Sequence, residues 1–379
     1  MKIAMIGHKR IPTRSGGVEV VVQELSVRMA KKGHDVTVYN RYCRGDKKLA
    51  KNEYDGVKVI EIPTFKRNSL NALVYSVIAS FRVLFGGYDV IHYHAEGPCA
   101  MIWLPKLFRI PVVATIHGLD WQRAKWGGFA THYLKFGEKM AAKYADEVIV
   151  LSDNMQKYFF DRYGRKTLLI QNGVIPIERK KPNIILKKYG LKKNDYFLFL
   201  ARIVPEKGLE YLLEAYSRLD TVKKLVIAGA LEPETDYIKN IKKAAALDPR
   251  IILTDFVAGN IMAELFSNCL AYVMPSDLEG MPISLLEALS CHARCIVSDI
   301  PEITEVVGDY AHIFHAGNVK KLRELMQMAI NNEGLYDSNF REGFTPEQVD
   351  AKIETILKRH DWGLVANETL KVYGGVTGR

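Results

Sequence analysis

Cysteine is scarce in this 379-residue chain: Cys43, Cys99, Cys269, Cys291 and Cys295 are its five. An odd, scattered set implies reduced thiols in a cytoplasmic setting and argues against a disulfide-stapled secreted fold. Long hydrophobic runs are lacking too. The longest, Leu70 to Phe85, is interrupted by Asn71, Ser76, Ser80 and Arg82. It falls short of the roughly 20 residues that a membrane-spanning helix needs. The opening run Ile3-Ala4-Met5-Ile6 stops at Gly7, too soon for the apolar core of a secretion signal. No repeat period and no low-complexity tract is present, which argues against a solenoid or a disordered chain.

Several chemical signatures are missing as well. No Asp-x-Asp pair offers an acidic cradle for a metal-bound diphosphate, and there is neither a Walker phosphate loop nor a serine-centred nucleophile elbow. Cys291-His292-Ala293-Arg294-Cys295 is not followed by a second ligand pair, so buried small residues account for it better than a metal does. The same holds for His92-Tyr93-His94, and no metal site is expected. Nucleic acid is not the expected partner either, because no helix-turn-helix signature and no basic stripe interleaved with aromatics appears.

What is present is the composition of a soluble globular protein, 48% hydrophobic and 25% charged, at a length that suggests two domains. The net charge of +10 is uneven. Residues 1–180 hold 29 Lys and Arg against 16 Asp and Glu; the remainder holds 24 against 27. A basic first half predicts an anionic partner, whether nucleic acid, disfavoured above, an acidic membrane leaflet or a phosphate-bearing substrate.

Both halves alternate short apolar strands with helical patterns. Lys2 to Ile6, Val36 to Asn40, Val57 to Ile62, Val90 to His92, Val112 to Ile116 and Glu147 to Leu151 read as strands. Between them lie helices such as Val18 to Lys32 and Phe129 to Lys143. The rhythm breaks at the polar, Pro-bounded stretch from Asn172 to Pro182. It restarts with Phe197 to Leu200, Lys224 to Ala228, Ile251 to Leu253, Ala271 to Met274 and Cys295 to Ser298. Strands alternating with helices of this length predict an α/β class with a parallel sheet in each of two Rossmann-like domains, residues 1–175 and 182–358. Two such domains on a linker are expected to bind ligand in the cleft between them, beyond the carboxyl ends of the strands. Gly374 to Arg379 is expected to be disordered.

The most informative segment runs from Pro275 through Glu279, Gly280, Met281, Pro282 and Ile283 to Glu287 and Leu289. A strand ends at Met274, a loop follows, and Pro282 suits the first turn of a helix, where its missing N–H costs nothing. The amides around Gly280 to Ile283 then form an anion or hydroxyl site. Glu287, set among Leu285, Leu286, Ala288 and Leu289, needs a polar partner to be buried there. With Glu279 it makes two carboxylates suited to sugar and ribose hydroxyls. Leu200 to Gly208 carries Arg202, which can fork onto phosphate oxygens, and Lys207, a point charge beside it. Pro12 to Gly17 ends in Gly16 and Gly17, which let backbone approach a ligand. His117 and Gly118 follow the strand ending at Ile116.

Together these segments resemble a retaining GT-B glycosyltransferase of family 4, the glycosyl transferases group 1. The Glu279-x7-Glu287 element within Glu-Gly-Met-Pro-Ile-Ser-Leu-Leu-Glu-Ala carries the resemblance most specifically. Arg202 with Lys207, Gly16-Gly17, His117 and Asn172-Gly173-Val174 fall in the family's order, and Trp362 to Tyr373 resembles a final helix, about residues 360–379, that completes the first domain. The resemblance implies that Arg202 and Lys207 hold a donor diphosphate and that Glu287 binds the ribose. It implies that Glu279 and the amides of Gly280, Met281 and Ile283, around Pro282, bind the sugar. Gly16 and Gly17 would close over the phosphates and His117 would line the reacting face. The donor implied is a nucleotide-diphosphate sugar, UDP by family frequency, with no separate cofactor and no metal. Cys291-His292-Ala293 and Asp299-Ile300-Pro301-Glu302 depart from the family pattern, which leaves the sugar open.

Within the family, the opening through Gly33 and the segment His92 to Gly118 look most like bacterial enzymes of surface-polysaccharide synthesis. The implied acceptor is a glycan or a polyprenyl-diphosphate-linked sugar at the inner membrane face. Lys66-Arg67 ahead of Leu70 to Phe85 is the expected membrane contact of a peripheral, cytoplasmic protein. A nucleotide-sugar epimerase on the same fold is the alternative, with a basic nucleic-acid-binding module as a more distant one.

Overall fold

A computed structural model describes the chain outside residues 15, 47–51, 66–67, 124–127, 309, 332–345 and 379. The chain divides into two compact units, Met1–Gly173 together with His360–Arg379, and Val174–Arg359.

In the first unit, eight strands form one sheet in the order β3-β4-β2-β1-β5-β6-β7-β8. They are β1 Lys2–Ile6, β2 Asp35–Cys43, β3 Glu53–Tyr54, β4 Val57–Thr64, β5 Val90–His94, β6 Val112–Ile116, β7 Glu147–Val150 and β8 Leu168–Leu169. Every pairing is parallel except β3 with β4. Helices cover the sheet, so β1, β5 and β6 have little or no exposure; β1 and β6 are mainly apolar, as strands buried on both faces tend to be, whereas β5 carries the buried His92 and His94. Tyr39, Tyr75, Tyr93, Ile102, Val148 and Phe159 belong to that core.

The last helix, Trp362–Thr377, belongs to this unit. Asp361 caps it by accepting from the amide of Leu364 at 3.0 Å, and a Cβ on Gly173 would stand 2.5 Å from the Trp362 ring. The helix continues through Gly374 to Thr377, against the expectation of disorder there. The Thr377 hydroxyl donates to the Tyr373 carbonyl at 2.8 Å, and Gly378 ends the helix in the left-handed region.

In the second unit the order is β11-β10-β9-β12-β13-β14, all parallel. Its strands are β9 Tyr196–Leu200, β10 Lys224–Ala228, β11 Ile251–Asp255, β12 Ala271–Met274, β13 Cys295–Ser298 and β14 His312–Phe314. The core packs Phe197, Phe199, Leu225, Ile227, Val273 and Ile296 of these strands against Leu212, Tyr216, Leu322 and Met326 of the flanking helices.

Strand order reverses once in each sheet. In the first unit chain progression runs outward from β1 to one side and from β5 to the other; in the second, from β9 and β12. Where neighbouring loops diverge in this way, the carboxyl ends of the two central strands open a crevice. Among the described residues, no helix is long and apolar enough to cross a membrane.

Candidate active site

At the reversal in the second unit, the loop after β9 carries Arg202 and Lys207, and the loop after β12 carries Glu279. A single 3-10 turn, Pro205–Lys207, leads into the helix Leu209–Ser217. The two loops are in direct contact. The amides of Asp277 and Leu278 both donate to the Glu206 carbonyl, at 3.0 and 3.4 Å. At Gly208, where φ is +64°, a Cβ would lie 1.9 Å from the carbonyl oxygen of Pro275. Only glycine fits there without strain, because both the backbone angle and the approach exclude a side chain.

This contact brings Lys207 onto Glu279. The ammonium donates to Glu279 Oε1, and the Ser276 hydroxyl donates to the same oxygen at 2.9 Å. Both partners are largely covered, with side-chain exposures of 13% for Lys207 and 6% for Glu279. Low exposure weakens screening, so the pair is held more firmly than a surface ion pair would be. Ser276 is fixed in turn, its carbonyl accepting from the Ser298 hydroxyl of β13 at 2.5 Å. Tyr211 donates to Asp277 at 3.1 Å, and burial raises the Asp277 carboxyl above its ordinary range.

Glu287 is buried in the helix Ile283–Ser290, one turn from its start. Pro282 is not in the first turn as expected. It stands just before the helix at the capping position, with ψ of 106°, and helical backbone begins at Ile283. An extended ψ cannot continue into a helical hydrogen bond pattern, so the first-turn amides start one residue later. Met281 and Pro282 are buried, and Gly280 and Ile283 are half-buried. Tyr272 of β12 donates to Ser284 at 3.0 Å, tying the helix's first turn to the strand. Arg202 is exposed at the head of the β9 loop.

At the reversal in the first unit, Gly16 caps the helix Gly17–Lys31 with extended backbone, φ −158°. A Cβ on Gly16 would meet the Glu19 carboxylate at 2.1 Å, while Gly17 faces open space. Glu19 also accepts from the Lys9 amide at 3.0 Å and Gln23 from the Thr13 amide at 3.0 Å. The loop after β1 is thus folded back onto the first turn of its own helix. Gly7, with φ of +124°, is the glycine that this loop requires, since a Cβ there would stand 2.0 Å from the His94 carbonyl.

His117 follows β6 and is nine-tenths buried. Burial lowers it to about 4, a shift only partly offset by the nearby Asp120 and Glu19 carboxylates. It is therefore neutral near pH 7 and can offer both a donor and an acceptor. His94 lies against it, and His92, Thr115 and Tyr373 lie behind His94. None of these partners was expected at the site from the sequence. The alternation His92-x-His94 in a strand that faces one way at every second residue is the signal that points to them.

Close by, Glu96 is fully buried, and burial, reinforced by Asp120 and Glu138, pushes its carboxyl well above the ordinary range. Glu138 accepts from Trp121 at 2.9 Å, from Tyr158 at 2.8 Å and from Tyr163. Three hydrogen-bond donors thus converge on Glu138, and Arg162 lies 3.9 Å from the same carboxyl group. Among the described residues, no group of three or more His, Cys, Asp or Glu side chains is placed to hold a metal ion. His292 spends its Nδ1 on Asp350 at 2.7 Å, and the Cys295 thiol donates to the Ala293 carbonyl at 3.2 Å.

Comparison with known proteins matches residues 15–176 to Glycosyltransferase Family 4 and residues 183–344 to Glycosyl transferases group 1. The UDP-Gal:alpha-D-GlcNAc-diphosphoundecaprenol alpha-1,3-galactosyltransferase of Escherichia coli is 29% identical over 322 residues, 79% of this chain and 80% of the relative. An uncharacterized glycosyltransferase of Methanocaldococcus jannaschii is 23% identical over 399 residues, 98% of each. Among solved structures, sucrose-phosphate synthase from Thermosynechococcus elongatus superposes with a TM-score of 0.82 at 17% identity, covering 100% of this chain and 99% of that one. At that identity the likeness is one of fold, and the fold is GT-B.

Proposed function

Because its two halves belong to glycosyltransferase family 4 and to the glycosyl transferases of group 1, the chain is a glycosyltransferase, and we propose that it transfers a sugar from a UDP-sugar with retention of configuration and without a metal ion. The observation that carries this reading is the meeting of the β9 and β12 loops, which sets Lys207 on Glu279 with Arg202 at the head of the same loop. In this reading Arg202 and Lys207 neutralise the diphosphate. Glu279, oriented by Lys207 and Ser276, accepts hydrogens from the sugar's hydroxyls, and Glu287 does the same for the ribose. The amides from Gly280 to Ile283 add donors at a helix amino end. Gly16 and Gly17 close over the phosphates and His117 lines the reacting face.

The reaction then needs no protein nucleophile. The bond from the anomeric carbon to the phosphate oxygen breaks while the acceptor oxygen bonds to the same face of that carbon. The acceptor's hydroxyl proton passes to the departing phosphate oxygen. Two fixed cations supply the electrostatic stabilisation as charge develops on the leaving group.

The acceptor in this proposal is a glycan or a polyprenyl-diphosphate-linked sugar, and the first unit meets an anionic membrane to reach it. Support comes from the end of the helix Asn68–Val83 and its neighbour, the helix Trp103–Leu107. Here Phe81, Phe85, Trp103, Leu107 and Phe108 are exposed, Phe85 at 89%, beside the exposed Arg82 and Arg109. Apolar rings among basic residues suit an interfacial contact. Lys66 and Arg67, the contact expected from the sequence, lie outside the described residues. Vesicles with anionic lipid should sediment the protein at low salt, and indifference to lipid charge would end this part of the reading.

The test of the donor site is a thermal-shift panel of UDP-, dTDP- and GDP-sugars with and without EDTA. Stabilisation by the UDP class, unchanged by chelation and lost in Arg202→Ala, is the expected result. A shift that vanishes with EDTA, or an inverted linkage in the product, would refute it.

A further inference from the structure

Behind His117 stands a stack of buried rings. His92 Nδ1 lies 2.6 Å from the Tyr373 hydroxyl of the last helix, and His92 Nε2 lies 2.7 Å from the Thr115 hydroxyl. With both nitrogens engaged, that ring is held in one orientation. Its centroid is 4.1 Å from that of His94. The His94 and His117 rings stack 5.3 Å apart at 25°, and His94 Nδ1 is 3.1 Å from His117 Nε2. Burial lowers His92 to about 3, His94 well below its ordinary value and His117 to about 4. Near neutral pH each ring is therefore uncharged, with one N–H and one lone pair.

Only one proton fits between His94 Nδ1 and His117 Nε2. Were it bonded to His117, His94 would have to carry its own proton on Nε2. That atom is buried and has no hydrogen-bond partner among the described residues. A buried N–H without an acceptor is the rarer and costlier orphan; a bare lone pair is tolerated more often. We infer that His94 donates through Nδ1 to His117 Nε2 and so locks His117 in the tautomer protonated on Nδ1. The nitrogen that His117 has left for a ligand is then a hydrogen-bond donor, suited to a sugar hydroxyl or phosphate ester oxygen. His94 is a positioning residue, braced from behind by His92 and, through it, by Tyr373.

This inference rests on the reading of His117 as a site residue, and the experiment separates the two. Protein labelled with nitrogen-15 at histidine is examined by two-bond nitrogen–proton correlation. The expected pattern has His117 protonated on Nδ1 and His94 protonated on Nδ1. In His94→Leu, which removes the donor while keeping bulk, His117 loses its single tautomer. The same variant should lose about five- to a hundredfold in kcat, the range spanned by one buried hydrogen bond, with little change in the KM for donor. His94→Asn, whose amide nitrogen can occupy the place of Nδ1, should restore both tautomer and turnover. A wild-type His117 protonated on Nε2 would overturn the inference without any variant. So would His94→Leu with an unchanged tautomer and wild-type kcat. His117→Ala with full activity would instead remove His117 from the site and refute the reading beneath it, whatever the tautomer.

Discussion

Gly208→Ala is the perturbation that falls hardest on the meeting of the β9 and β12 loops. Two separate costs fall on it. The first is the backbone angle: at φ of +64° a Cβ costs about 1–2 kcal/mol. The second is steric. The added carbon would stand 1.9 Å from the Pro275 carbonyl oxygen, whereas real Cβ contacts essentially never fall below 3.0 Å. The obstacle is backbone, so one loop must retreat from the other by roughly 1 Å, and a misplacement of that size can cost about 10²-fold in rate. The retreat also stretches the bonds from Asp277 and Leu278 to Glu206 and draws Lys207 away from Glu279. Gly190→Ala is the matched control. Its φ is likewise +64°, but its Cβ would meet only the flexible Lys224 ammonium, at 3.8 Å. It ends the helix Ile184–Tyr189, and Lys224 starts β10, at the end of the sheet away from the site. Calorimetric binding of UDP, turnover and thermal melting should be measured for both. Gly190→Ala should lower the melting temperature by about 2–4 °C for each kcal/mol lost and leave UDP affinity and turnover intact. Gly208→Ala should melt lower still and lose about 10²-fold in turnover. Equal behaviour of the two variants, or wild-type turnover in Gly208→Ala, would refute the idea that loop contact sets the site.

A double-mutant cycle on Lys207→Met and Glu279→Gln should show favourable coupling: Lys207→Met alone strands a largely covered carboxylate, so the double variant should melt above it. Additive melting shifts would remove the pair from any account of this loop's order. Glu96→Gln should lose little stability, because burial, with Asp120 and Glu138 nearby, pushes the Glu96 carboxyl well above its ordinary range and favours its neutral form. The sign follows from linkage: a carboxyl raised in the folded state binds its proton more tightly there than in the unfolded chain. Wild-type stability should therefore fall as pH climbs from 4.5 towards the folded value, and urea titrations of Glu96→Gln should lack that slope.

Much of this was legible in the sequence, and the reasons are specific. Strands buried on both faces, such as Tyr196–Leu200, announce themselves as unbroken apolar runs. Two-residue strands such as Glu53–Tyr54 and Leu168–Leu169 carry no period and could not be read. β5 was expected to stop at His92. It continues to His94 because parallel pairing sets His94 opposite Thr115, and polarity in a sequence hides a strand that tertiary packing makes dry. The loops after β9 and β12 were placed by strand-then-helix grammar. That Lys207 would turn onto Glu279 was not legible, because spacing along a chain says which loop holds a residue and not which partner it meets. His94 was passed over for the same reason: its role depends on a ring in the next strand and, through His92, on Tyr373, 281 positions from His92.

That long reach has a bearing on how the protein is made. The ribosome releases the strands of the first unit early, yet the tyrosine that steadies His92 emerges only after all of Val174–Arg359 has been synthesised. The second unit can mature as a continuous segment, whereas the first remains provisional until His360–Arg379 has followed it. A product lacking the helix Trp362–Thr377 would retain the whole of Val174–Arg359 and still have an unfinished first unit.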